Sequence, residues 1–166
     1  MIPLGLTERG SFFVGRKPSG RTVWVCKQSK CFTKIIRDPR KLFPKQKLPL
    51  PSRDTIRSIL RDHLEMQANQ QFCFAMRSGA IIHGSHWVKK CQTEKICMLL
   101  FSSDAGKKTV TEFQATHNRI ESMVIKTSSN DIGKLLGRGP RSVLALRHSR
   151  TTQSLIDTLR AWHSLG

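Results

Sequence analysis

The stretch Ile96-Cys-Met-Leu-Leu-Phe-Ser102 constrains the fold more than any other. Its apolar residues follow one another without the polar alternation that a strand with one wet face requires. The run therefore reads as a central strand covered on both sides. A strand buried on both faces needs helices before and behind it, and the neighbouring sequence supplies them. A helix opened by Asp104 and reaching about His117 is followed by a strand around Met123–Lys126. A short helix from Asn130 to Leu136 is stopped by Gly137, Ser142–Leu146 forms another strand, and Ser154–Trp162 a last amphipathic helix. Upstream, Ser52 or Asp54 caps a helix whose Ile56, Ile59, Leu60, Leu64, Ala68, Phe72, Ala75 and Met76 fall near a 3.6 period. An interruption is expected at Asn69-Gln70-Gln71. Strands alternating with helices of this size predict an α/β fold, a three-layer α/β/α sandwich with a mixed sheet, over residues 54–166.

The first 53 residues have a different character. Apolar snippets at Ser11–Val14 and Thr22–Cys26 flank a Gly/Pro/basic turn, and Thr22-Val-Trp-Val-Cys26 carries the β-branched and aromatic residues of a strand. A short helix with Ser29 as its cap is expected to reach Ile36. Residues 1–37 thus form a small basic α+β segment. Residues 38–53 belong to a Pro/basic linker, in which four prolines exclude a helix and favour extended chain.

Charge decides the class of partner. The chain has 29 Lys and Arg against 11 Asp and Glu, a net charge of +18. Residues 1–53 hold 13 of the cations and 2 of the acids, net +11. Such an excess implies a polyanion, and nucleic acid is the first candidate. An anionic membrane is the competing polyanion, but there is no basic amphipathic anchor, lipidation signal or span-length apolar run. With no secretory signal at Met1–Gly10, the chain reads as cytoplasmic. The five cysteines fit a reducing compartment: an odd count, with Cys73, Cys91 and Cys97 in apolar patterns as buried small side chains. Cys26 and Cys31 form a C-x4-C pair without a second pair at zinc-like distance.

Two stretches are candidates for contact with that polyanion. In Arg77-Ser-Gly-Ala-Ile-Ile-His-Gly-Ser-His-Trp-Val88, Gly79 ends one helix, Ala80–Ile82 is a brief strand, and Gly84-Ser85 opens a helix to about Cys91. A Ser hydroxyl at that start, with Lys89 and Lys90 following, makes a phosphate seat. The second stretch is the basic turn Arg138-Gly-Pro-Arg141. In a sandwich, loops at one edge of the sheet converge, so Gly84 and Arg138 are expected on the same edge. The plain alternative is two helices joined by a short strand, and an exposed turn. No catalytic arrangement competes: six histidines and eleven carboxylates show no ligand, triad or acid–base spacing, and there is no P-loop or dinucleotide fingerprint. No cofactor, metal or enzymatic activity is expected.

Residues from about Leu64 to Trp162 resemble the kink-turn-binding ribosomal protein family, particularly its bacterial YlxQ members. Arg77-Ser-Gly79 before Gly84, Leu99-Leu-Phe-Ser-Ser-Asp104, and Leu136-Gly-Arg-Gly-Pro-Arg-Ser-Val-Leu-Ala145 carry the resemblance. It implies RNA contacts at the glycine-led helix start and at the loop before the last strand. The expected RNA-binding residues are Arg77, Gly84, Ser85, His86, Lys89, Lys90, Arg138 and Arg141. The family usually places Thr-Asn-Glu after that glycine, whereas this chain has Ser85-His86-Trp87, a departure that puts a standard kink-turn target in doubt. Ser85 stands in for Thr, His86 offers a hydrogen bond of different reach, and Trp87 brings a ring that stacks on a base or packs inside. Gly20-Arg-Thr-Val-Trp-Val-Cys26 and Cys31 resemble the C-terminal half of the YlxR family, without its usual N-terminal Cys motif. The chain thus looks like a shortened or N-terminally incomplete YlxR–YlxQ fusion.

The expected function is binding of structured RNA, ribosomal or other non-coding, in a ribosome, translation or RNA-processing context. The rivals are a nucleoid-type binder of DNA and RNA, and an accessory RNA-binding domain of an RNA-modifying enzyme.

Overall fold

The computed structural model describes residues 1–7, 11–15, 21–44 and 50–165. The chain divides into two compact units, one of residues 1–68 and 157–166, the other of residues 69–156. The elements are β1 (Ile2–Leu6), β2 (Phe12–Val14), β3 (Arg21–Val25), α1 (Ser29–Arg37), α2 (Arg53–Arg77), β4 (Ile81–His83), α3 (Ser85–Lys90), β5 (Ile96–Phe101), α4 (Lys107–Thr116), β6 (Ser122–Val124), α5 (Ser129–Leu135), β7 (Val143–Arg147) and α6 (Arg150–His163).

In the first unit β1 is the middle of an antiparallel sheet of order β2-β1-β3. The sequence reading missed this strand, because Pro3 and Gly5 are poor strand formers and hide its pattern. The strand holds because Ile2, Leu4 and Leu6 are all buried. The core is completed by Phe32, Ile35 and Ile36 of α1, by Ile56, Leu60 and Leu64 of α2, and by Leu159 and Trp162 of α6. Helix α1 is capped by Gln28 rather than Ser29, with the Gln28 carbonyl accepting from the Cys31 and Phe32 amides. The expected linker is not wholly extended, since Pro39–Lys41 makes a turn of 3-10 helix and Phe43 is buried beyond it. Residues 45–49 of that linker lie outside the described residues.

Helix α2 is capped by the Ser52 hydroxyl, which accepts from the Thr55 amide at 3.1 Å. It runs unbroken through Asn69-Gln70-Gln71, where an interruption was expected. Ala68 and Phe72 are buried on either side of the polar trio, so packing holds the helix where local preference is weak.

The second unit is an α/β sandwich built on a four-stranded mixed sheet of order β4-β7-β5-β6. Strands β5 and β6 are parallel and joined by α4; β7 is antiparallel to both β4 and β5. As expected from its apolar run, β5 is central and closed on both faces. On one face Leu99, Phe101, Val143 and Ala145 pack with Val88 of α3 and Phe113 of α4. The alternating residues Met98, Leu100, Leu144 and Leu146 are equally buried on the other. Each such side chain contributes roughly 1.5–3 kcal/mol through burial. Cys73, Cys91 and Cys97, expected to be buried, are only partly so.

Several boundaries moved. Helix α6 begins at Arg150 rather than Ser154, because Ser149 and Thr152 cap it reciprocally: each hydroxyl accepts the other's backbone N–H, at 3.1 and 3.0 Å. Gly79 and Gly137 end their helices at φ 67° and 60°, as their positions predict. None of the described helices is long and apolar enough to cross a membrane.

Candidate nucleic-acid interface

The topology of the second unit sends the carboxyl ends of β4, β5 and β6 to one edge of the sheet. His83, the last residue of β4, pairs with Leu144, while Phe101 at the end of β5 pairs with both Val143 and Val124. The segments leaving or entering this edge are therefore Gly84 with α3, Ser102–Asp104, Ile125–Ser129 and Arg138–Ser142. Open α/β sheets place ligands at such an edge, because loops rather than strands supply the side chains there.

Backbone hydrogen bonds lace these segments together. The Ser102 amide donates to the Ser142 carbonyl at 3.0 Å, and the Ser103 amide to that of Thr127 at 3.0 Å. Asp104, expected to cap α4, clamps α5 instead: its carboxylate accepts from the Ser129 amide at 2.8 Å and hydroxyl at 2.7 Å. Helix α4 starts from Gly106 without a side-chain cap. The Ser102 hydroxyl, buried beside the Asp104 carboxylate but outside hydrogen-bond geometry, and the two Ser129 donors lower the Asp104 pKa to about 2.

The basic turn at 138–141 is seated on α5. The Arg138 amide donates to the Gly133 carbonyl at 2.8 Å, and the Arg141 amide to that of Ser129 at 2.9 Å. A Cβ at Gly133 would stand 2.5 Å from the Gly139 carbonyl oxygen and 2.9 Å from that of Arg138. Only glycine permits this approach, so Gly133 positions the turn although it faces no ligand. The Arg141 guanidinium donates through Nη1 to the Pro140 carbonyl at 2.9 Å, which fixes its fork. Sequence reasoning overlooked Gly133; a glycine inside a helical pattern was the available signal.

Gly84 and the basic turn do share this edge. His83 lies between them, and its imidazole is held below the ordinary histidine pKa by burial first, then by the Arg141 and Arg138 guanidiniums. Gly84 itself adopts φ 90° and ψ 131°, a conformation that strains any other residue. Ser85 does not cap the helix: Gly84 holds the cap position and no side chain bonds there. At six residues α3 is too short for a substantial macrodipole, so its start offers positioned side chains rather than a strong anion seat. Ser85, His86 and Trp87 are all exposed. Trp87, 66% exposed, does not pack inside, and the His86 ring meets it edge-on with centroids 5.4 Å apart.

Three of the expected contacts are not gathered here. Arg77 ends α2 beyond the opposite end of the sheet, where the Ala80 carbonyl accepts from the Arg147 amide. Lys89, in the last turn of α3, is turned to α4, where it pairs with Glu112 and lies 5.6 Å from the centre of the Phe113 ring. Lys90 is exposed on that same last turn, away from the helix start. Among the described residues, no three His, Cys, Asp or Glu side chains are grouped so that they could hold a metal ion. The buried His117 is structural: Nε2 donates to the Val88 carbonyl at 3.0 Å and Nδ1 accepts from Thr93 at 3.2 Å.

No protein-family model matches the chain. No curated protein matches its sequence. Among solved structures, a protein of unknown function from Bacillus halodurans is similar with a TM-score of 0.50 and 20% identity, over 55% of this chain and 95% of that one. A Giardia lamblia 15.5kD RNA binding protein is similar with a TM-score of 0.48 and 16% identity, over 63% of this chain and 91% of that one. At 20% identity the Bacillus halodurans likeness establishes a shared fold and leaves the chemistry to this chain's own residues.

Proposed function

We propose that this protein binds structured RNA through the sheet edge formed by Gly84–Trp87 and Arg138–Arg141, and that it acts by binding rather than by catalysis. The observation that carries this reading is the juxtaposition at His83: a glycine-led turn with an exposed indole on one side, two arginines on the other. Guanidiniums seat phosphates, and an exposed aromatic ring accepts an unstacked base, a contact worth about 1–3 kcal/mol. A loop–helix edge held by backbone hydrogen bonds suits RNA that is already bent, because rigid protein matches rigid shape without an ordering cost. The net charge of +18 supplies a shape-blind contribution to the affinity. The resemblance to YlxQ-type kink-turn binders points to a bend or internal loop in ribosomal or other non-coding RNA, with Ser85-His86-Trp87 altering the preferred target.

The test is a titration of the whole chain against a kink-turn RNA, a plain hairpin and duplex DNA at low and moderate salt. A lead of tenfold or more for the kink-turn RNA, about 1.4 kcal/mol, that persists as salt rises supports shape recognition. Equal affinities that fade together would sink it in favour of a general polyanion binder. Trp87→Ala is expected to lose about 1–3 kcal/mol of binding with no change in thermal stability, since the ring is mostly exposed.

A further inference from the structure

The first unit contains a cleft of about 470 Å³ into which three arginines converge: Arg37 from the last turn of α1, and Arg53 and Arg57 from the start of α2. Arg53 and Arg57 are four residues apart and share one face of the helix. Ile36 and Leu165 add apolar side chains to the lining of the cleft, and Thr33 and Ser164 add hydroxyls. Among the described residues, no carboxylate lines it. Outside the lining, the Asp54 carboxylate stands 4.0 Å from the Arg57 Nη1 and is 93% exposed, so it neutralises little. Neither Arg37 nor Arg53 makes an ion pair among the described residues. Three like charges around one concavity repel each other, and an anion entering it removes that repulsion.

We propose that this cleft is a second seat for RNA, holding backbone phosphates without reading shape or sequence. A groove lined by three positive charges, with no acid among its described lining residues, accepts a run of phosphates better than a mixed surface does, by charge rather than by geometry. The proposal rests on the RNA reading of the sheet edge for its choice of polyanion. It assigns residues that the edge does not use, and a different response to salt.

The experiment uses the whole chain and fluorescence anisotropy with a labelled kink-turn RNA and an unbent RNA duplex, from about 50 to about 300 mM salt. Three variants are compared: Arg37→Gln/Arg53→Gln/Arg57→Gln in the cleft, Arg138→Gln/Arg141→Gln at the sheet edge, and Lys95→Gln/Arg119→Gln/Arg147→Gln as an equal loss of exposed charge elsewhere. Thermal unfolding checks that each is folded. The cleft variant is expected to lose roughly tenfold in affinity for both RNAs, with a salt slope shallower by roughly 2 and an unchanged preference between them. If it loses no more than the control triple, the cleft is not a site and the proposal is overturned. If the cleft variant behaves as expected but the edge variant leaves the preference between RNAs intact, the edge reading fails while the cleft stands. If free inorganic phosphate or an acidic peptide displaces nothing from the wild-type cleft but RNA of either shape does, the source of the phosphates is the nucleic acid backbone. If an acidic peptide binds as well as RNA and is lost in the cleft variant, the assignment to RNA is overturned.

Discussion

The sheet edge of the second unit and the arginine cleft of the first carry the same sign of charge but are built differently. At the edge, the backbone does the positioning: Arg138 and Arg141 are fixed by amide hydrogen bonds to Gly133 and Ser129, and Asp104 fixes Ser129 in turn. In the cleft, the arginines project from helix ends that form for their own reasons, and no hydrogen bond among the described residues fixes their guanidiniums. The contrast separates two kinds of affinity. Under the proposed RNA reading, a pinned guanidinium such as that of Arg141 selects a particular arrangement of phosphates, whereas an unpinned one follows whatever phosphate arrives.

The strongest way to break this comparison is Gly133→Ala. The new Cβ collides with backbone of the turn, which cannot move aside like a flexible side chain. A loss of about 1–3 kcal/mol in urea unfolding is expected, together with loss of preference for bent RNA. Gly106→Ala is the matched control, because its Cβ would meet nothing nearer than 4.0 Å. Equal behaviour of the two variants would remove the claim that the turn is held by close approach.

Arginine-to-lysine exchange sharpens the contrast further. Arg141→Lys loses the fixed fork and is expected to cost about 1 kcal/mol of RNA binding, roughly fivefold. Arg57→Lys in the cleft keeps the point charge, on which binding that reads no geometry depends, and is expected to change affinity less than about twofold. The reverse order would mean that the cleft, not the edge, reads geometry.

The smallest expected effect follows from Asp104→Asn, read as stability against pH. The folded carboxyl titrates at about 2, below the ordinary aspartate value of 3.8. Its contribution is therefore complete above pH 3.8 and is lost as pH falls through about 2. The gap in unfolding midpoint between wild type and Asp104→Asn should be constant near neutrality and close over that acidic window. A gap that stays open at the acid end would show that the clamp does not act through the ionised carboxylate.

Much of the second unit was legible in the chain because its signals are local. An uninterrupted apolar run such as Ile96–Phe101 has no stable place except between two layers, and Gly79 and Gly137 mark helix ends by their backbone freedom alone. Arg138 and Arg141 stood out as charge in a Gly-Pro turn. Where local signals conflict, the expectation failed. Pro3 and Gly5 hide β1, the polar trio at residues 69–71 feigns a break in α2, and Asp104 looks like the cap of the helix that follows it. Each error has one cause: a partner distant in sequence outweighed a preference of a few tenths of a kcal/mol.

By itself the sequence determined the class of fold, the strand that must be central, and the large excess of positive charge. These depend on hydrophobic pattern and net charge, which do not need a neighbour to be defined. Only the tertiary structure decided that Asp104 holds α5, that Lys89 belongs to Glu112, that Arg77 stands beyond the far end of the sheet and that Gly133 carries the basic turn. Those are statements of which groups meet in space, and sheet register and loop packing set them across separations that no local pattern records.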